Sequence, residues 1–169
     1  PFFLSTFPRL LEKIHTGVKV RGQEMSGLQK NNYYWAIYLT ESYDPEHPPT
    51  GLAALKHRIA DKLVYSKIRE LFGGNLRGMV SGGAALSPEV FRFGNAIGLI
   101  VVQGYGLTET SPVITVQTPQ DMRVGSSGKT LRDVEVKMAE DGEILTRGTN
   151  VRKGYYKNEE KTEEEMTAY

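Results

Sequence analysis

The stretch LRGMVSGGAALSPEVFRFGNAIGLIVVQGYGLTETSP, residues 76–112, decides the fold of this chain. We predict strands over about 76–80 and 99–103. The run Leu99-Ile100-Val101-Val102 is short, continuous and β-branched, as is typical of a strand buried on both faces. The residues between them predict a helix over about 88–97, which begins with a serine, a proline and an acid. A strand–helix–strand unit of this length predicts two parallel neighbouring strands with a right-handed crossover.

Two glycine-rich loops, residues 81–84 and 104–109, follow these strands. The carboxyl ends of parallel strands share one edge of the sheet, where open α/β sheets bind ligands, so we expect both loops to face one cleft. These residue types suit a nucleotide, because glycines let the backbone approach a flat nucleotide base and Tyr105 offers an aromatic face on which the base can stack. Thr108 offers a hydroxyl to a phosphate oxygen, and Glu109 is a hard oxygen ligand for Mg²⁺. Each residue type also has a purely structural use, so the spacing alone leaves both interpretations open.

Upstream of this unit the pattern is mainly helical. The apolar run at 2–4 predicts a short buried strand, and Ser5 is a candidate cap for a helix with Pro8 in its first turn. Helical patterns follow over about 25–41 and 52–72. We therefore expect several helices packed on the sheet.

Downstream of residue 112 the pattern becomes β. Val134, Val136 and Met138 alternate with charged residues, and Asp141-Gly142 then predicts a hairpin turn. From about residue 158 the chain is acidic and helical. We divide the chain into an α/β subdomain fragment carrying the nucleotide-binding loops (1–112), a β-rich subdomain fragment (113–157) and a truncated acidic helical tail (158–169).

Composition excludes several functional classes. The formal net charge is +1, which argues against a nucleic-acid partner, and the absence of cysteine excludes disulfides and thiolate metal sites. Residues 1–80 carry 11 basic and 7 acidic side chains, and residues 81–169 carry 10 and 13. The basic half could lie against an anionic membrane, although solvated helix faces account for it more simply. We expect a cytoplasmic protein, with peripheral association at the inner membrane surface as a further expectation.

Several segments resemble one enzyme family in the family's own order. Residues 102–112, VQGYGLTETSP, resemble the signature loop of the adenylate-forming enzymes, which include acyl-CoA synthetases, luciferases and peptide-synthetase adenylation domains. Residues 82–86 resemble the adenine-side loop of that family. Residues 142–148 and 154–158 resemble its later strand segment, and residues 61–69 its long-chain fatty-acid branch.

The resemblance implies a fold and a reaction. The fold is α/β, part of the large N-terminal domain of an adenylate-forming enzyme, with helices on a mainly parallel sheet followed by a β-rich, barrel-like segment. The reaction is an ATP-dependent, AMP-forming activation of a long-chain fatty acid, followed by transfer to coenzyme A. The implied cofactors are ATP, Mg²⁺ and coenzyme A as co-substrate, and the implied partners are fatty acid, ATP and the remainder of the same enzyme.

The same resemblance implies roles for individual residues. Thr108 and Glu109 are the expected catalytic residues, with Glu109 as the Mg²⁺ ligand. The expected cofactor-binding residues are Gly82, Gly83, Ala84, Gln103, Gly104, Tyr105, Gly106 and Thr108. In the family, a lysine-bearing phosphate loop precedes this region, and a ribose-binding aspartate and a catalytic lysine follow it. We therefore expect the 169 residues alone to be inactive.

Two alternatives stay open. One is a ligase of the same superfamily that loads an acyl-carrier protein or activates an aryl acid. The other is a non-catalytic nucleotide-binding or interaction module with this fold, against which the intact Thr108 and Glu109 argue.

Overall fold

A five-stranded sheet organises the computed structural model, which describes residues 2–166. Its strands, in spatial order, are β1 (Phe3–Thr6), β2 (Gly78–Ser81), β3 (Ile100–Tyr105), β4 (Thr115–Val116) and β5 (Lys129–Thr130). The first three run parallel, whereas β4 and β5 are each antiparallel to the preceding strand. The predicted α/β class is thus confirmed, with a parallel core that two short antiparallel strands extend.

The described residues form six α-helices. They are α1 (Pro8–Arg21), α2 (Gly27–Glu41), α3 (Gly51–Ala60), α4 (Ser66–Glu70), α5 (Pro88–Ala96) and α6 (Glu159–Glu165). A π-helical segment, Asp61–Tyr65, joins α3 to α4. Helix α5 contacts α1, α2 and β3, and one apolar core runs through these elements.

The predicted strand–helix–strand unit, β2-α5-β3, is present and tightly closed. Gly94 of α5 lies so near β3 that an added Cβ would stand 2.3 Å from Cγ2 of Val101. The buried Asn95 side chain donates to the carbonyls of Phe91 and Val101 and accepts the Val101 N–H, at 3.0–3.1 Å. These bonds fix the helix on the strand that carries the signature loop.

Two details of the N-terminal prediction are wrong. Strand β1 is exposed rather than buried, with Phe3 57% accessible, because it lies at the edge of the described sheet. Ser5 does not cap α1. It lies inside β1, in register with Val80 of β2, and the helix begins at Pro8 after an extended Phe7.

The C-terminal third follows the predicted pattern. Strands β6 (Val134–Met138) and β7 (Ile144–Gly148) form an antiparallel hairpin. Asp141 Oδ1 accepts the Glu143 N–H in its turn, where Gly142 adopts φ +92°. The acidic helix α6 follows, although the end of the predicted tail, 167–169, lies outside the described residues. The division of the chain at residues 112 and 157 stays a prediction.

No helix within residues 2–166 is both long and apolar enough to cross a lipid bilayer.

Candidate functional site

The two glycine-rich loops leave the same edge of the sheet. Ser81, the last residue of β2, is in register with Gln103 near the end of β3. An added Cβ on Gly82 would lie 3.9 Å from the carbonyl oxygen of Gly104, so the loops run side by side. The predicted juxtaposition of the two loops is therefore present.

Gln103 joins these loops through its side chain. Its Oε1 accepts the N–H of Leu86 at 3.1 Å, which anchors the far end of the first loop. Its own N–H donates to Oε1 of Gln117 at 3.2 Å. The structure thus gives Gln103, predicted as a cofactor-binding residue, an internal contact that positions the loop.

We predict that Gln103→Leu in the full-length protein weakens nucleotide binding. The substitution leaves the Leu86 N–H without its acceptor, which costs about 1–3 kcal/mol where the group is shielded from water. The KM for ATP should rise roughly 10-fold, with a smaller change in kcat, in steady-state kinetics. Gln103→Glu, which keeps an acceptor oxygen, should retain most of the wild-type KM; an equal loss in both variants would contradict the positioning role.

Sequence reasoning missed Gln117, which supports the same strand from its other side. Its side chain is only 3% exposed, and its amide donates to the carbonyls of Arg123 and Ser126 at 2.5 and 3.0 Å. With the bond to Gln103, these contacts fix the turn after β4. A single glutamine after a short strand gives no signal of this contact in the sequence.

The signature loop is held against its own C-terminal end. An added Cβ on Gly106 would lie 2.1 Å from the carbonyl oxygen of Pro112 and 2.8 Å from Cα of Val113. The buried Thr110 hydroxyl donates to the Leu107 carbonyl and accepts the Leu107 N–H, both at 3.0 Å. Gly104 is less crowded, since its added Cβ would stand 3.3 Å from the Thr115 carbonyl oxygen. Gly106 thus has a clear packing reason to be glycine.

The side chains expected to meet a nucleotide form an open wall. Gly83, Ala84, Tyr105 and Thr108 are exposed, with Tyr105 37% accessible. Gly83 adopts φ +84°, a backbone conformation that glycine takes without strain. The wall therefore offers an aromatic face, a hydroxyl and a thin backbone to solvent.

Glu109 lies in a cluster that the sequence did not predict. Its Oε1 accepts bonds from Nη2 of Arg152 at 2.8 Å and from the hydroxyl of Tyr155 at 3.1 Å. The Arg152 guanidinium stacks 3.3 Å above the Tyr155 ring, and the Arg152 N–H donates to the Glu109 carbonyl at 2.9 Å. The resemblance covered Tyr155 at 154–158 but suggested no role for either partner.

The electrostatics of this cluster favour the ionised form of the Glu109 side chain. The pKa of Glu109 lies below its ordinary value, chiefly because its own backbone N–H and the Tyr155 hydroxyl donate to it, with a further contribution from the charge of Arg152. Burial and the bond to Glu109 raise the pKa of Tyr155, so the phenol keeps its proton. Glu109 is thus an ionised, one-third exposed carboxylate at the end of the signature loop.

The donor chemistry of Glu109 fits Mg²⁺, which prefers anionic oxygen ligands. Arg152 and Tyr155 both contact Oε1, so an ion at that oxygen would share it with them or displace them.

Asn150 supports the signature loop from the same downstream segment. Its amide donates to the carbonyls of Thr110 and Val113 at 2.9 and 2.8 Å. The segment 150–155 therefore holds both the turn after Glu109 and the carboxylate itself.

Curated relatives match nearly the whole chain. A long-chain-fatty-acid–CoA ligase of Mycobacterium bovis is 35% identical over 172 residues, which cover 99% of this chain and 28% of the relative. Long chain acyl-CoA synthetase 8 of Arabidopsis thaliana is 34% identical over 179 residues, which cover 97% of this chain and 25% of that protein. The chain thus spans little more than a quarter of the length of these relatives.

Solved structures share the fold. An anthranilate CoA ligase in complex with anthranoyl-AMP superposes with a TM-score of 0.51 at 27% identity, covering 56% of this chain and 20% of that chain. The Bacillus subtilis O-succinylbenzoate coenzyme A synthetase, in complex with ATP and magnesium, gives a TM-score of 0.50 at 23% identity, covering 70% and 30%.

A family profile extends the match over both parts of the site. The profile described as AMP-binding enzyme covers residues 2–156, which include both glycine-rich loops and the Arg152–Tyr155 segment. Together with the relatives and the fold, this match shows that the chain belongs to the AMP-binding enzyme family.

Proposed function

We propose that the full-length protein is an ATP-dependent, AMP-forming ligase that activates a long-chain fatty acid and transfers it to coenzyme A. The observation that carries the proposal is the open wall at the carboxyl edge of the sheet, which ends in the ionised Glu109. The long-chain ligases among the relatives support the choice of a fatty acid as substrate.

In this proposal the wall binds ATP through residues of both loops. The adenine stacks on Tyr105, with Gly82, Gly83 and Ala84 along its edge, and the Thr108 hydroxyl donates to a phosphate oxygen. Gly104 and Gly106 keep the strand end thin where the acyl group passes. Gln103 acts through Leu86, which it anchors.

The reaction has two balanced steps. The fatty carboxylate attacks the α-phosphorus of ATP, and pyrophosphate leaves as the acyl-adenylate forms. The thiol of coenzyme A then attacks the acyl carbon, loses its proton and displaces AMP.

Mg²⁺, held by Glu109, would offset the negative charge that repels an incoming carboxylate. Arg152 and Tyr155 orient the Glu109 carboxylate and keep it ionised. Thr108, one residue earlier, is exposed on the same loop, so it can reach a phosphate oxygen.

The test is ATP–pyrophosphate exchange by the full-length protein with hexadecanoate, benzoate or no acid. Exchange that depends on hexadecanoate supports the proposal, whereas dependence on benzoate favours an aryl-acid ligase. A thiol-acceptor assay then separates coenzyme A from an acyl-carrier protein. No exchange with any acid, together with measurable ATP binding, would favour a non-catalytic nucleotide-binding module.

We expect the isolated 169-residue chain to show no acyl-CoA formation, because it spans about a quarter of its relatives. The measurement is the same thiol-acceptor assay on equal molar amounts of both proteins. Robust product formation by the isolated chain would contradict this prediction.

We further propose a cytoplasmic protein that docks on the inner membrane surface through the outer face of α3. Its exposed apolar side chains recur about once per turn, and they are Leu52, Leu55 and Ile59. The flanking Lys56 and Lys62 are exposed and form no ion pair within residues 2–166. An apolar helix face bordered by lysines suits an anionic lipid surface.

We predict that Leu55→Gln/Ile59→Gln lowers binding of the full-length protein to phosphatidylglycerol vesicles by at least about 10-fold. Sedimentation with the vesicles measures the bound fraction. Met138→Gln, at an exposed apolar position on the hairpin, is the control and should bind as wild type. Equal binding by all three proteins would refute the docking face.

A further inference from the structure

A cavity of about 390 Å³ lies in the helical part of the molecule, between the end of α1, the start of α2 and the π-helical segment with α4. None of its lining residues belongs to the two glycine-rich loops or to the Glu109 cluster. Its size falls within the range of small-molecule sites, about 300–1,000 Å³.

The inner wall of the cavity is apolar. Tyr33, Val64 and Ile68 line it and are each at most 5% exposed. The Tyr33 hydroxyl already donates to the Val18 carbonyl at 2.7 Å, so the residue presents its ring rather than a free polar group. Such a wall suits an alkyl chain and offers little to a sugar or a phosphate.

The mouth of the cavity is cationic. Arg21 and Lys67 both line it and are exposed, and neither forms an ion pair within residues 2–166. The cavity has no acidic lining residue in the described part of the chain. Burial raises the pKa of Tyr33 while the charge of Arg21 lowers it, which places the guanidinium near the apolar wall. Two uncompensated cations beside an apolar wall favour an anionic head group on an apolar tail.

The backbone at the cavity is also irregular. Leu63 and Val64 belong to the π-helical segment, where the helix widens by one residue. Such segments are rare and occur frequently at functional sites.

We propose that this cavity binds a singly anionic amphiphile, with its alkyl tail against Tyr33, Val64 and Ile68 and its head group between Arg21 and Lys67. This site is separate from the nucleotide wall. The inference does not depend on the proposed ligase activity, because it uses neither the signature loop nor the Glu109 cluster.

The test is photolabelling of the full-length protein, without ATP or vesicles, by a twelve-carbon carboxylate that carries a terminal diazirine. Mass spectrometry locates the labelled peptides. We expect labels in the segments 21–33 and 63–71, and excess dodecanoate should suppress them. Labels confined to residues 81–112, or no label at all, would overturn the proposal. Either result would also be seen if another segment of the full-length protein fills the cavity, and the proposal would be wrong in that case too.

Paired variants test the head-group assignment. Arg21→Gln/Lys67→Gln should lower labelling of the two cavity segments about 10-fold, because both charge-assisted contacts are lost. Arg9→Gln/Lys13→Gln removes the same charge from exposed residues of α1 that do not line the cavity and should label as wild type. Equal labelling by both double variants would overturn the head-group assignment.

Competitors define the ligand class. Dodecanoate and dodecane-1-sulfonate should both suppress the cavity labels, whereas dodecanol should be at least about 10-fold weaker. Dodecanol as effective as dodecanoate would overturn the requirement for an anion. Suppression by dihexanoyl phosphatidylglycerol, a soluble short-chain lipid, would support the same site with a membrane lipid as its source, and suppression by free dodecanoate alone would support a soluble fatty acid.

Discussion

Glu109→Gln in the full-length protein is expected to lower the rate of ATP–pyrophosphate exchange by about 100- to 1,000-fold. The substitution keeps the size of the side chain and removes the charge that we assign to the cation. Losing one preorganised electrostatic group at a charge-developing centre typically costs that much in rate. The measurement is exchange at saturating fatty acid, repeated over a range of Mg²⁺ concentrations.

The structure supplies a competing explanation, because Glu109 is also paired with Arg152 and Tyr155. Arg152→Gln separates the two roles. If Glu109 mainly anchors the 150–155 segment, Arg152→Gln should lose as much rate as Glu109→Gln does. The Mg²⁺ requirement of both variants should then stay at the wild-type value. If Glu109 binds the ion, only Glu109→Gln should raise the Mg²⁺ requirement, and Arg152→Gln should be the milder variant.

Gly106→Ala is expected to be the most damaging small substitution in the signature loop. The new methyl group would stand 2.1 Å from the Pro112 carbonyl oxygen, and backbone atoms cannot move aside as a flexible side chain can. We expect a loss of at least about 3 kcal/mol in the free energy of unfolding. In the full-length protein, whose relatives are about four times as long as this chain, the thermal midpoint should fall by about 2 °C or more.

Two other glycines provide matched controls for Gly106→Ala. Gly17 lies in α1 with no neighbour within 4 Å of an added Cβ, so Gly17→Ala should stabilise the protein by up to about 1 kcal/mol. Gly83 has open space but φ +84°, so Gly83→Ala should cost about 1–2 kcal/mol. Thermal unfolding should rank Gly17→Ala as the most stable of the three variants, Gly83→Ala second and Gly106→Ala last. A Gly106→Ala variant as stable as Gly83→Ala would contradict the close packing described here.

The sequence predicted the parts of the fold that depend on local pattern. The unit β2-α5-β3 and the β6-β7 hairpin are each compact in sequence, so periodicity and turn residues were enough to place them. The same reasoning placed both glycine-rich loops at one sheet edge. The roles of the individual site residues stay predictions.

Burial was harder to predict than secondary structure. The apolar run at β1 indicated a buried strand, yet Phe3 is largely exposed because burial depends on which strand lies alongside. In α2, Tyr33 is 5% exposed and Tyr38, five residues later, is 68% exposed, although both are tyrosines of the same helix. An apolar side chain tends to be buried, but its tertiary neighbours decide whether it is.

The polar contacts at the site were missed for a related reason. Arg152 and Tyr155 reach Glu109 across 43 and 46 residues, and no periodic pattern connects positions so far apart. Gln117 fixes Gln103 through one side-chain bond, which a glutamine at the end of a short strand does not reveal. These contacts follow from the path of the chain between the elements.

The bond between Glu109 and Arg152 also bears on the order of folding. The unit β2-α5-β3 can close as soon as residues 78–105 are available, because its contacts are local. The loop that ends in Glu109 forms its last stabilising hydrogen bonds only when residues 150–155 have been synthesised and have folded back. Closing the chain between Glu109 and this segment has an entropic cost. On a ribosome, therefore, the scaffold of this site would precede its completion by some forty residues of elongation, and the partly built wall would be exposed to chaperones during that interval.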